Sequence, residues 1–104
     1  MVEIKWTKQS IKDIDNIASF IAQDSEKYAS IQTLRFFESV KILESQTEIG
    51  RIVPEIGKSN IRELIEGNYR IIYLIKSSSR IDILTIHHSK RLISNNPIFK
   101  RKDS

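Results

Sequence analysis

A change of hydrophobic period part-way along the chain constrains its fold more than any other feature. Between residues 11 and 43 the apolar side chains recur at helical spacing, and from Ile61 to His88 they alternate with a period of two. A helix needs apolar residues every three or four positions to line one stripe, and a strand needs them every second position, so each segment excludes the other's conformation. The chain has 104 residues, enough for one domain around one core. The order of the two periods predicts an α+β fold.

Val2 to Trp6 is rich in β-formers and reads as an opening strand, with Thr7 as the N-cap of the helix that follows. Ile11, Ile14, Ile17, Ala18 and Ile21 then mark an amphipathic helix ending near Asp24. Asp24-Ser25 restarts a helix, in which Leu34, Phe37, Val40 and Leu43 step by three while Ile31, Phe36 and Ile42 widen the apolar stripe. With so short a connection the two helices form an antiparallel hairpin, and the wide stripe suits an interface as well as a core. Gly50, Pro54 and Gly57 make Glu48 to Gly57 a connecting loop. Beyond it, Gly67-Asn68 and Ser77-Ser78-Ser79 divide the alternating segment into a three-stranded meander. A two-residue turn at Gly67-Asn68 sets Ile65 opposite Arg70 and Glu63 opposite Ile72, with Leu64, Ile71 and Tyr73 on the other face. Apolar residues on both faces of the middle strand predict a sheet covered on both sides.

Hydrophobic residues make up 39% and charged residues 29% of the chain, which places it among folded proteins rather than disordered ones. It contains no cysteine, so disulfides, thiolate metal sites and cysteine nucleophiles are excluded. No stretch approaches the roughly 18 apolar residues of a membrane span, and the N-terminus lacks the pattern of a signal peptide. A cytoplasmic location, with no membrane partner, is expected. The net charge of +4 permits a polyanionic or acidic partner without requiring one. Residues 94–104, with the run Lys100-Arg101-Lys102, read as a basic, mobile tail beyond a domain of residues 1–93.

More specific than the element order are the residues laid on it. Gly50-Arg51-Ile52-Val53-Pro54-Glu55, Ile61-Arg62-Glu63-Leu64-Ile65, Tyr69-Arg70-Ile71-Ile72-Tyr73 and Ile83 to Arg91 resemble the C-terminal half of the RelE/ParE toxins of type II toxin-antitoxin (plasmid-stabilisation) modules. Val2 to Thr7 and the helix carrying Ile14 and Ile17 resemble the start of those toxins. The resemblance implies a β-α-α-β-β-β fold, with an antiparallel helical hairpin packed on a twisted antiparallel sheet. It also implies a cognate antitoxin as partner, and no cofactor. For the target it offers two branches: ParE-like members inhibit DNA gyrase, and RelE-like members cleave messenger RNA in the ribosome.

RNA cleavage through the 2′-oxygen needs a base, an acid and cations around the phosphate. In a RelE-like reading Arg62, Arg70, His87 and His88 carry the catalysis, with Glu55 or Glu63 as a base. Arg51, Lys58, Lys90 and Arg91 would contact nucleic acid or another target, and Leu34, Phe37 and Val40 the antitoxin. The hairpin turn decides one pairing. A loop of Ser77 to Arg80 sets Arg70 across from His87, and a loop of Ser77 to Ser79 sets Tyr69 there. No tyrosine follows His88, and Phe99 transfers no proton, which favours the ParE-like branch. Structural roles are open for each residue as well. Arg62 and Arg70 suit cross-strand ion pairs with Glu63 and Glu66. One histidine would face the core and the other solvent, and with no third ligand nearby neither suggests a metal site. Tyr69, Tyr73 and Trp6 suit packing.

Overall fold

The computed structural model describes residues 1–89 together with Ile93, Asn96 and Pro97. The opening strand β1 (Glu3–Trp6) ends where the Thr7 side chain accepts a hydrogen bond from the Ser10 backbone N–H, starting α1 (Lys8–Ala22). Ser25 repeats the device for α2 (Glu26–Ser39), accepting from the Tyr28 N–H. A hydroxyl at the N-cap satisfies one of the donors that a helix start leaves unpaired. The expected helix across residues 31 to 43 stops at Ser39, and Lys41–Glu44 forms a 3-10 turn that drops Leu43 into the core.

The strands β2 (Arg51–Ile52), β3 (Ile61–Glu66), β4 (Tyr69–Ser77) and β5 (Arg80–His88) join β1 in one sheet of order β1-β5-β4-β3-β2. Neighbours from β2 to β5 are antiparallel, and β1 runs parallel to β5 along the edge. The α+β order expected from the sequence is the order found. Two residues of the expected loop, Arg51 and Ile52, add a short strand. Arg51 pairs with Glu63 there, and Val53 N–H continues the ladder to the Ile61 carbonyl at 3.2 Å. Pro54 then stops it, having no N–H to donate.

The turn at Gly67-Asn68 sets Ile65 opposite Arg70 and Glu63 opposite Ile72, as its length demands. Gly67 has a φ of 58°, the left-handed value that a II′ hairpin needs at its first central position. At the other hairpin Ser77 pairs with Arg80, and Arg70 faces His87. Two compensating irregularities lie between those pairs. Leu84 is extra on β5 between Ile72/Thr85 and Tyr73/Ile83, and Lys76 is extra on β4 before Ser77. A bulge re-aims the side chains beyond it, so Ile83 and Ile86, three residues apart, both reach the helix-side core while Leu84 joins the opposite cluster.

The sheet is covered on both faces. Ile14, Phe36, Val40 and Leu43 pack on Ile71, Tyr73, Ile81, Ile83 and Ile86 beneath the helices. Val53, Ile72 and Ile93, with Ile56, Ile61 and Leu84 beside them, form a smaller cluster on the far face. Tyr73 shows how closely the pieces fit. Its hydroxyl donates to the Thr47 carbonyl at 2.8 Å and accepts from the Gly50 N–H at 3.1 Å. A Cβ on Gly50 would lie 2.6 Å from the Glu63 carbonyl oxygen and 2.7 Å from that hydroxyl. Gly50 is therefore glycine for space, a stronger reason than its role as a loop breaker.

Side chains satisfy backbone groups at two places where the ladders of the sheet stop. At the β2 edge, Arg62 donates from Nε to the Ser59 carbonyl and from a terminal nitrogen to the carbonyls of Glu48 and Gly50. Along β5, past the end of β1, the Asp13 carboxylate of α1 accepts from the Ile86 N–H at 3.1 Å and from the Thr85 hydroxyl. Open strand edges invite pairing with other chains, and these contacts shorten the length of edge left open.

Candidate functional site

On the far face of the sheet a chain of four charged residues crosses β2, β3, β4 and the loop after β2. Glu63, fully buried in the middle of β3, accepts from Arg51 Nε through one carboxylate oxygen and from Arg70 Nε at 2.5 Å through the other. Arg70 turns its two terminal nitrogens to Glu55, at 2.9 and 2.8 Å. The register brings this grouping together: Arg51 lies opposite Glu63 in one ladder, and Arg70 stands two pairs along from it in the next, on the same face. A buried carboxylate without partners would be costly, and the two guanidinium groups compensate it.

The electrostatics follow the contacts. The hydrogen bonds from Arg70 hold the Glu55 carboxyl down at about 2, against an opposing push from burial. The same bonds from Glu55, then Glu63, raise the Arg70 guanidinium above its already high value. Every nitrogen of the Arg70 fork is thereby occupied, and the side chain is 8% exposed. Arg70 is committed to binding its own protein.

His87, beside Arg70 on β5, is buried as well. Its Nδ1 lies 3.1 Å from Asn96 Nδ2, which also donates to the Thr85 hydroxyl at 3.1 Å. The Thr85 hydroxyl donates onward to Asp13, and Gln9 holds the other oxygen of Asp13 at 2.9 Å. These links tie α1, β5 and the C-terminal segment together. His88 sits edge-on to Tyr69 with centroids 5.4 Å apart, and Tyr69 is edge-on to Phe36 at 5.3 Å. Of the two histidines, one faces inward and the other lies half-buried against an aromatic ring.

The residues expected to act in catalysis are thus brought near each other in part only. Arg70 and His87 are neighbours, Arg62 points to backbone carbonyls around β2, and His88 belongs to the aromatic row. Arg62 and Arg70 do not share an open phosphate site, because successive pairs on the β3 and β4 ladder place them on opposite faces. Arg51 and Lys58 are exposed, and Lys90 and Arg91 lie outside the described residues, as does most of the expected tail. Of the three residues expected to contact an antitoxin, Leu34 is 61% and Phe37 is 37% exposed. Val40 is a correction: at 3% exposure it belongs to the core, because the helix ends there and the backbone turns inward. Trp6 supports Phe37, with ring centroids 4.7 Å apart.

Asp13, Thr85 and Asn96 were not candidates on sequence grounds. Asp13 meets Thr85 across 72 positions, and nothing local to a helical aspartate signals a distant strand edge. Among the described residues no cluster of three or more His, Asp or Glu side chains is set to hold a metal ion. No helix among them is long and apolar enough to cross a membrane.

The arrangement of a helical hairpin on a sheet of this order is a known one. Among solved structures, the chain is similar to one from the chromosomal ParDE TA system from P. aeruginosa, with a TM-score of 0.70 and 24% identity over 85% of this chain and 96% of that one. At that identity the likeness defines the fold, that of a chain found in a toxin-antitoxin system. The sequence carries the identification further: the family model of the ParE toxin of type II toxin-antitoxin system, parDE, matches residues 4–93. The chain belongs to the ParE toxin family, and is the toxin component of a type II toxin-antitoxin system with a cognate antitoxin as its partner. A comparison with curated proteins gives no match.

Proposed function

We propose that this toxin acts in the cytoplasm by binding DNA gyrase and blocking it, without chemistry of its own. The observation that carries this reading is Arg70, each of whose three nitrogens is already bonded to a carboxylate. A ribonuclease needs cations whose donors are free to meet a phosphate as charge builds on it. Here Arg70 is held by two carboxylates, Arg62 by three carbonyl oxygens, and His87 lies within a buried hydrogen-bonded row. A group so engaged must break those bonds before it touches a substrate. Membership of the ParE family points the same way.

The antitoxin, in this reading, covers Leu34 and Phe37. They stand one turn apart on α2, so they share a face, and Trp6 extends the apolar surface beneath Phe37. Exposed apolar side chains of this size gain most from a partner that buries them. The test is a supercoiling assay with purified gyrase and purified toxin, run beside primer extension on messenger RNA from induced cells. Lost supercoiling with intact transcripts supports the proposal. Normal supercoiling with discrete cuts assigns the chain to the ribosome-dependent nucleases instead, and neither effect, with unimpaired growth, identifies a nontoxic binding module.

A further inference from the structure

Of the two arginines in the far-face chain, only Arg51 has terminal nitrogens without a partner among the described residues. Its Nε is bonded to Glu63, its terminal nitrogens make no hydrogen bond among the described residues, and its side chain is 62% exposed. Glu63 is fully buried and is itself fixed by Arg70. The Arg51 guanidinium is thereby oriented from behind, with its outer edge turned to solvent. An arginine fork held this way loses little freedom when it accepts a second carboxylate, and its two parallel N–H groups match that ligand's geometry. Next along β3, on the same face as Glu63, Ile65 is 59% exposed. A cation and an exposed isoleucine stand side by side on a face that the helices do not cover.

We infer that Arg51 and Ile65 form an anchor for the antitoxin, taking one aspartate or glutamate side chain on the Arg51 fork and an adjacent apolar side chain on Ile65. This rests on the reading of the chain as an antitoxin-bound toxin. It adds a charged contact on the far face of the sheet to the apolar one at Leu34 and Phe37. A nucleic-acid backbone fits the place less well. Glu63 and Glu55 cancel the charges of Arg51 and Arg70, so the four residues together offer no net positive field to hold a row of phosphates. A single carboxylate needs only the two vacant donors.

The experiment measures affinity of the full-length toxin for its cognate antitoxin at two salt concentrations, for the wild type and for Arg51→Ala, Arg51→Lys, Ile65→Ser and, as a surface control on α1, Lys12→Ala. Arg51→Ala is expected to weaken binding about tenfold or more and to flatten the salt dependence. Arg51→Lys keeps the charge beside Glu63 but lacks the fork, and is expected to lose several-fold. Ile65→Ser, on an exposed position, is expected to lose several-fold with unchanged folding. If Arg51→Ala unfolds the toxin, the lysine and Ile65 variants decide. Wild-type affinity in both of these overturns the anchor while leaving the toxin-antitoxin reading intact. Failure of the wild-type toxin to bind the antitoxin overturns that reading itself. Weakening by Lys12→Ala equal to that by Arg51→Ala reduces the effect to overall charge and also overturns the anchor.

Discussion

The Arg70 guanidinium grips the Glu55 carboxylate through two hydrogen bonds of 2.8 and 2.9 Å, and so pins the loop after β2 onto the middle of the sheet. Its Nε is simultaneously bound to buried Glu63, so one side chain holds a loop and neutralises the interior of a strand. Replacing Arg70 with alanine leaves Glu63 with a single partner, Arg51, which is itself exposed. Removing one member of a buried pair costs roughly 3–5 kcal/mol. Urea unfolding is expected to show a loss of about 3 kcal/mol for Arg70→Ala. Arg70→Lys is expected to lose less, since the ammonium keeps a positive charge beside Glu63 although it lacks the fork.

Acid weakens the same grip in a defined window. Glu55 is held down to about 2 from an ordinary value of 4.5, so the folded state binds its proton less readily than the unfolded chain does. Its contribution to stability is complete above about pH 5 and disappears as the pH falls from there towards 2. Because the Glu55 side chain is 43% exposed, solvent screens the pair, and the loss attributable to it is on the order of 1 kcal/mol. Unfolding curves between pH 6 and pH 2 are expected to be flatter for Glu55→Gln than for the wild type. Equal slopes would show that the carboxyl is not held as described.

Gly50 and Tyr73 lock the loop before β2 to the sheet. Gly50→Ala forces a methyl group against the Glu63 carbonyl and the Tyr73 hydroxyl, of which the first is backbone and does not move aside. Overpacking of this kind costs roughly 1–3 kcal/mol. Tyr73→Phe removes the partner of the buried Gly50 N–H and of the Thr47 carbonyl, a loss of about 1–2 kcal/mol. The two substitutions act on one contact, so thermal unfolding of the double variant is expected to fall short of the sum of the single effects.

Leu34 and Val40 lie only six residues apart yet separate binding from folding. Leu34→Glu, at an exposed position, is expected to leave stability within about 0.5 kcal/mol and to weaken antitoxin binding at least about tenfold. Val40→Ala empties part of the core beneath the helices and is expected to lose roughly 1–3 kcal/mol of stability with little change in affinity of the folded fraction. Calorimetry of both variants with the antitoxin separates the two effects.

Much of this architecture can be read from the residues because local rules govern it. Thr7 and Ser25 start helices by capping, and Gly67 sets a two-residue turn that fixes Glu63 against Ile72. The bulge at Leu84 is different. Simple alternation puts Ile83 and Thr85 on one face, and only the packed sheet turns Ile86 back to the side of Ile83. The end of α2 at Ser39 is hidden for a similar reason, since Val40 and Leu43 continue the helical spacing while the backbone tightens into a 3-10 turn. At the candidate site, the serine turn leaves two registers open, and the one that sets Arg70 against His87 is the one found. The engagement of Arg70 by Glu55 is not legible at all, because a loop carries Glu55 there across 15 positions. Sequence names the charged residues, and the fold decides which of them have donors to spare.

Central to the function is the claim that the toxin disables gyrase by binding. Purified gyrase, relaxed plasmid and ATP, with the toxin added in increasing amounts and the antitoxin added afterwards, test it most directly. The predicted result is supercoiling that falls with toxin and returns when the antitoxin is supplied. Full supercoiling at toxin concentrations that stop growth, together with cut messenger RNA in the same cells, would contradict it.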